Sequence, residues 1–504
     1  QYPVAVERPY YLIYAEPRKI PKDKLTTTTQ FLSDLFSYDD KQKKELVKKL
    51  AKQNDPYEPI EDKVESNLIE KIKSANLEGI KYVIKNYRYY PEGNIFSNLL
   101  GFVGSDIDGN FIGRYGIEGG WNKELSGISG YKSGQQGAIG GLISTAGKTT
   151  QESQDGVDLI LTIDRSLQSK ACEELKNGVV GYKAKSGAII LLNSKTGAVL
   201  AMCSYPDFDP NKYYEATDTR AYNNTNIFTA YEPGSVFKPL TMAIGLDLNL
   251  VSPSTLFNDP GVRIIDGYRV YNAVKKQYGT VTMTSVLENS INTGMIWVEE
   301  KIGLSRFRDY VERFGFGKKT GIRLESEVSG DISSLKKTAK IYSANASFGQ
   351  GFTATPLQLA AAYTALANDG KLMRPYIIDQ VKYPNGRIDK ITPKVAENLL
   401  SSRTQKLITG MLISVVEKGH GYAVKMKDYY IAGKTGTAQI AGEGGYTDET
   451  NHTFVGYFPA NKPQFVLLVK YEAPQRAWAD STAAPTFKKV ADFAVKYYGL
   501  KGDR

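Results

Sequence analysis

Histidine and cysteine are almost missing from this chain, with two of each in 504 residues. The scarcity of histidine counts against a Ser-His-Asp hydrolase. Cys172 and Cys203 make no CxxC pair and no disulfide framework. Each falls in a predicted helix or strand, so two unpaired buried thiols are expected. No stretch reaches about 18 uninterrupted apolar residues, so this sequence encodes no membrane span. No signal peptide is visible, and the chain opens abruptly at Gln1-Tyr2-Pro3-Val4, already in a strand-like pattern. No Gly-x-Ser-x-Gly elbow occurs. Gly147-Lys148-Thr149 and Gly433-Lys434-Thr435 echo a phosphate-binding loop, but Leu142 and Asp428 stand where its first glycine belongs.

What is present describes an ordinary globular protein. Hydrophobic residues make up 41% and charged residues 23%, and the length implies two or three domains. The net charge of +10 is spread along the chain. Lysine-rich stretches such as residues 39–52 read as solvated amphipathic helix, so no nucleic-acid partner is expected.

Residues 1–155 hold no dense cluster of chemical groups and are expected to form one domain. Strands are predicted at 9–17 and 82–91, and helices at 29–53 and 57–75. Glycine-rich turns dominate residues 101–147, and the polar stretch 145–156 reads as a linker or exposed hairpin. A second domain, 156–504, is predicted to open with the strand 157–164, where Asp164 caps a helix over 165–177. Two apolar strands, 186–193 and 197–202, suit a central hairpin. Helices follow at 284–302 and 357–368, then strands at 429–440, 452–458 and 464–471, then a closing helix at 486–497. The fold class is α/β in the α+β sense, with an antiparallel sheet flanked by helices.

The chemistry concentrates in three short elements. Ser235-Val236-Phe237-Lys238 follows a Pro233-Gly234 turn and opens an apolar helix. Residues i and i+3 share a helix face, so the Ser235 hydroxyl and the Lys238 amine can meet. A serine hydroxyl is a weak nucleophile until a base takes its proton, and burial lowers a lysine pKa into that role. Ser290-Ile291-Asn292 lies 55 residues downstream, and Lys434-Thr435-Gly436-Thr437 a further 144 residues on. Ser-x-x-Lys alone is weak. The three together, in order, form a known signature of penicillin-binding proteins and serine β-lactamases.

The chain resembles the class B penicillin-binding proteins, the monofunctional peptidoglycan D,D-transpeptidases, in their division and sporulation branch. The resemblance runs beyond the motifs. Tyr90-Pro91 with Gly101-Phe102-Val103-Gly104, and Gly116-Ile117-Glu118 with Leu125-Ser126-Gly127, are similar to the family's pedestal region. Leu161-Thr162-Ile163-Asp164, Ser347-Phe348-Gly349-Gln350-Gly351 with Thr355-Pro356-Leu357-Gln358, and Phe454-Val455-Gly456-Tyr457-Phe458-Pro459 match blocks of its catalytic domain. Ile291 departs from the commoner serine or aspartate of the middle motif.

The resemblance implies an elongated N-terminal pedestal (1–155) and a penicillin-binding transpeptidase fold (156–504). It implies that Ser235 is the nucleophile, Lys238 its base, and Ser290 the donor to the leaving D-Ala amine, helped by Lys434. Asn292 would orient the substrate amide. Thr435, Gly436 and Thr437 would bind substrate: the threonines hold its carboxylate, while Gly433 and Gly436 let an extended peptide add beside the strand. The Ser235 and Thr437 N–H groups would hold the oxyanion. No cofactor and no metal are implied. The expected partners are stem peptides and lipid-linked precursors, β-lactam antibiotics, and a membrane glycosyltransferase. The expected location is the bacterial cytoplasmic membrane with the catalytic domain outside, the single-pass anchor being absent from this sequence.

Two other readings use the same residues. A D,D-carboxypeptidase or β-lactamase would give the acyl group to water. A β-lactam sensor or silent division scaffold would not turn over peptide. His452, with Asp448 and Glu449 nearby, is a weak zinc candidate, and a solvated loop histidine is the expected case.

Overall fold

The computed structural model describes residues 2–107, 109–128, 130–133, 149–442 and 445–504. Part of the predicted glycine-rich stretch, part of the 145–156 linker, and the Gly147-Lys148 echo lie outside the described residues. The chain forms two compact units, Gln1–Glu92 and Gly93–Arg504.

In the first unit Val6–Ala15 is the middle strand of three, antiparallel to both Glu58–Val64 and Ile80–Tyr89. Helices Leu25–Phe36, Asp40–Leu50 and Ser66–Ala75 bury Leu32, Leu46, Leu50, Ile69 and Ile72 in one core with Ile13 and Ala15. The single helix expected over 29–53 is two helices. Ser37 takes a left-handed φ of 55°, and Asp39 starts the second helix in a capping box with Gln42. The helix expected over 57–75 begins only at Ser66. Before it, Glu58, Ile60 and Val64 are buried along a strand that also contains Pro59, which has no N–H to give a helix.

The second unit is built on a five-stranded antiparallel sheet. Its order is Val199–Tyr205, Ser186–Asn193, Phe465–Glu472, Gly445–Phe458, Ala432–Gly442. The hairpin expected at the centre therefore lies at one edge, and Phe465–Glu472 is central. Ala432–Gly442, which carries Lys434, is the other edge. Helices Arg165–Tyr182 and Ala483–Tyr497 cover one face, packing on Ile189, Leu191, Leu467 and Val469. Helix Pro356–Ala367 packs on the inner strands and is buried at all twelve positions, as a helix apolar all round must be. Both faces of the inner strands are thus covered, which is why they read as unbroken apolar runs. Asp164 caps its helix as expected, accepting N–H groups of Ser166 and Leu167 at 2.9 and 3.0 Å.

Two expectations fail here, because apolar periodicity records neither a partner distant in sequence nor a local break. Cys172 and Cys203 are not free thiols but a disulfide, with Cα atoms 5.4 Å apart. The buried Gln168 side chain pairs with both the N–H and the C=O of Met202 at 2.8 and 2.9 Å, one helical turn before Cys172 and one residue before Cys203. That clamp brings the helix cysteine onto the strand cysteine. The helix expected over 284–302 is also two, Met283–Glu288 and Asn292–Ile302. Ser290 stands between them at φ 54°.

Residues from Gly93 onward pack with the second unit. Phe102 stacks on Tyr213 with ring centroids 4.1 Å apart, and Gln168 Nε2 donates to the Ile95 carbonyl at 3.0 Å.

Candidate active site

The three sequence elements converge. Ser235 lies in the short 3-10 turn Gly234–Phe237, which runs into the helix Lys238–Asp247. Tyr363 Oη, buried in the central helix, donates to the Val236 carbonyl at 2.6 Å and pins this turn from below. Gly349, at φ 87°, sits so close that any Cβ there would collide with the Gly234 backbone. This explains why a glycine stands in the Ser347–Gly351 block.

Lys238 and Ser235 do not hydrogen bond directly. Lys238 Nζ donates to Ser290 Oγ at 3.0 Å, to Asn292 Oδ1 at 2.7 Å and to the Ser290 carbonyl at 2.5 Å. Ser290 Oγ in turn donates to Ser235 Oγ at 3.0 Å. The hydroxyl of Ser290 is therefore the link between nucleophile and lysine. The left-handed turn at Ser290 directs both its carbonyl and its hydroxyl to the same ammonium. The sequence carried a signal for that break: Asn289 and Ser290 are poor residues for a helix interior. Asn292 is shared, because its Nδ2 donates to the Tyr271 carbonyl at 2.9 Å. Tyr271 was not anticipated from sequence.

Lys238 is completely buried, and desolvation first, then the nearby Lys434 charge, holds its pKa well below the usual lysine value. Lys434 is equally buried, and burial lowers it to about 7. Its one hydrogen bond among the described residues goes to the neighbouring Thr435 carbonyl at 3.1 Å. A Cβ on Gly436 would meet Val236 Cγ1 at 2.9 Å and the Pro233 carbonyl at 3.2 Å. The Lys434 strand thus approaches the serine turn as closely as a backbone can. The Thr435 side chain makes no hydrogen bond among the described residues, while Thr437 Oγ1 accepts the Ala479 N–H at 3.2 Å.

His452 is not a solvated loop residue. It is buried within the strand Gly445–Phe458, opposite Thr437, because both its nitrogens are satisfied: Thr450 Oγ1 and Thr482 Oγ1 each lie 2.9 Å away. No cluster of metal-binding side chains occurs among the described residues. Likewise, no helix among them is long and apolar enough to cross a membrane.

The penicillin-binding protein transpeptidase domain model matches residues 187–492, and the penicillin-binding protein dimerisation domain model matches residues 1–161. Stage V sporulation protein D of Bacillus subtilis is 31% identical over 497 residues, spanning 97% of this chain and 76% of that relative. Peptidoglycan D,D-transpeptidase FtsI of Escherichia coli is 31% identical over 444 residues, spanning 87% and 72%. Among solved structures, penicillin-binding protein 3 of Mycobacterium tuberculosis complexed with aztreonam aligns with a TM-score of 0.74 and 27% identity. That alignment covers 84% of this chain and 92% of that one. The chain belongs to the penicillin-binding proteins, in the class B group of division and sporulation transpeptidases.

Proposed function

We propose that this chain cross-links peptidoglycan stem peptides through an acyl-enzyme on Ser235 and that β-lactams inhibit it by acylating the same oxygen. The observation that carries this reading is the hydrogen-bonded chain Ser235–Ser290–Lys238–Asn292, closed on a lysine that burial keeps ready to accept a proton.

Ser235 Oγ attacks the carbonyl carbon of the penultimate D-Ala. With Lys238 neutral, the two hydroxyls turn so that Ser235 donates to Ser290 Oγ and Ser290 to Lys238 Nζ; the Ser235 proton then passes to Ser290 Oγ as the Ser290 proton passes to Nζ. The N–H groups of Ser235 and Thr437 receive the oxyanion, an interaction class worth about 3–4 kcal/mol of barrier per donor. The amide C–N bond then breaks, and the relay returns the proton to the departing D-Ala amine. Lys434 and the Thr435 and Thr437 hydroxyls hold the terminal carboxylate. Gly436 leaves the edge strand open to an added peptide strand. A neighbouring stem peptide's amine then takes the acyl group.

In this reading residues 1–155 serve as pedestal and 156–504 as the catalytic domain. The reaction takes place outside the bacterial cytoplasmic membrane, beside a membrane glycosyltransferase. The test is the intact mass of the protein after incubation with penicillin, for the native chain and for Ser235→Ala. A lasting penicilloyl adduct on the native chain alone is expected. Rapid hydrolysis of penicillin with no adduct would make the chain a β-lactamase, and intact penicillin with no adduct a silent scaffold.

A further inference from the structure

A cavity of about 560 Å³ adjoins the catalytic network. It lies between the hairpin of strands Val262–Ile265 and Tyr268–Tyr271 and the helix Lys340–Ala346. We propose that this cavity seats the acceptor strand: an anionic peptide that presents a primary amine to the acyl-enzyme. The proposal rests on the transpeptidase reading above and names where its second substrate binds.

Three observations carry it. The first is continuity. Asn292 lines the cavity, and the same side chain accepts a hydrogen bond from Lys238 Nζ at 2.7 Å. Gln350, another lining residue, adjoins Gly349, which abuts Gly234 beside the nucleophile. A peptide here is therefore within reach of the Ser235 ester. Residues 434–437, which would hold the donor peptide, are not in the lining.

The second observation is charge. Arg269 lines the cavity, and its guanidinium makes no ion pair or hydrogen bond with the described residues. Lys337 Nζ sits 4.5 Å over the ring of Tyr342, and Lys275 Nζ 5.6 Å over that of Tyr271; both rings line the same space. The acid in the lining, Asp266, accepts the Ile341 N–H at 2.9 Å and is outnumbered by these three cations. The cavity thus favours carboxylates. The third observation is unused hydrogen-bonding capacity: the side-chain amides of Asn345 and Gln350 line it without a partner among the described residues.

These features match what an acceptor must do. A peptide not yet cross-linked ends in a carboxylate, and its amine must be neutral to attack. Cations beside it bind the carboxylate and also lower the amine pKa. The amine nitrogen attacks the ester carbonyl, the C–O bond to Ser235 breaks, and the surplus amine proton returns to Ser235 Oγ through Ser290.

The experiment separates the two substrates by blocking one. The protein is first acylated with penicillin, which occupies Ser235, and is then titrated by calorimetry with a stem tetrapeptide bearing a free side-chain amine and a C-terminal carboxylate. The native adduct is expected to bind it, more weakly as salt rises. Arg269→Glu is expected to bind about tenfold more weakly, while still taking up penicillin. Lys337→Glu, beside Tyr342 across the cavity, repeats the loss and decides the matter if Arg269→Glu fails to acylate. Equal affinity in the native protein and the charge-reversed variant, or no binding by the native adduct, overturns the proposal. Failure of the native protein to acylate at all would instead overturn the transpeptidase reading.

Discussion

The two sides of the cleft hold their lysines in opposite ways. On the helical side, Lys238 is buried and gives hydrogen bonds to three acceptors, two on Ser290 and one on Asn292. On the sheet side, Lys434 is just as buried, but its single acceptor among the described residues is the carbonyl of the next residue. A buried amine whose hydrogen bonds are made is held in place, whereas one with few partners is left short of them. The helical side is therefore complete without substrate, and the sheet side is built to be completed by one. In the proposed reading, a substrate carboxylate beside Lys434 would supply what the fold withholds. Proton transfer and substrate binding are in this sense divided between helices and sheet.

Replacing each lysine by methionine breaks the comparison most strongly. Lys238→Met removes the proton acceptor, and penicillin acylation should fall by about 10³-fold or more. It should also destabilise the protein, because buried acceptors on Ser290 and Asn292 lose their partner, at about 1–3 kcal/mol. Lys434→Met should slow acylation less, about 10²-fold, and raise stability by about 1 kcal/mol, since it removes a desolvated charge. Stopped-flow acylation and thermal melts of both variants check this. If the two shift stability in the same direction, the division between the sides is wrong.

Ser290→Ala comes next in size. It leaves both lysines in place but cuts the link between Ser235 and Lys238. Acylation should drop by about 10²-fold with little change in melting temperature. Near-native acylation would mean that Lys238 reaches Ser235 without the relay.

How much of this was legible beforehand follows the kind of interaction involved. The residues that converge at the cleft were readable because the proposed chemistry calls for their types: a serine, a lysine three residues on, and a lysine beside glycine on a strand. The inner strands were readable because burial on both faces leaves continuous apolar runs. What escaped was set by partners distant in sequence. The Cys172–Cys203 bond depends on Gln168 clamping Met202. The break at Ser290 is different: Asn289 and Ser290 are a local signal, masked by apolar spacing that stays helical through them. That break places Ser290 between nucleophile and lysine, so the direct Ser235–Lys238 contact suggested by the i, i+3 spacing is replaced by a relay. The hairpin that bonds Asn292 through the Tyr271 carbonyl left no motif, since a backbone carbonyl belongs to every residue.

The smallest expected effect sharpens the sheet side alone. His452 stands opposite Thr437 on the neighbouring strand, held between Thr450 and Thr482, and burial lowers its pKa from 6.5 to about 4. Above about pH 6.5 the ring is neutral in both folded and unfolded chains, and this histidine adds no pH dependence. As the pH falls from 6.5 towards 4, the unfolded chain takes up a proton that the folded ring refuses. Stability is therefore lost across that window and levels off below it. His452→Gln has no ring to protonate and keeps hydrogen-bonding capacity towards the two threonines. Its melting temperature should fall less steeply than that of the native protein between pH 6.5 and 4. The Ser235–Ser290–Lys238 network does not touch this residue, so the variant should acylate at the native rate near pH 7.5. Parallel melting curves for the two proteins would show that His452 does not tie the Lys434 strand to the pH of its surroundings.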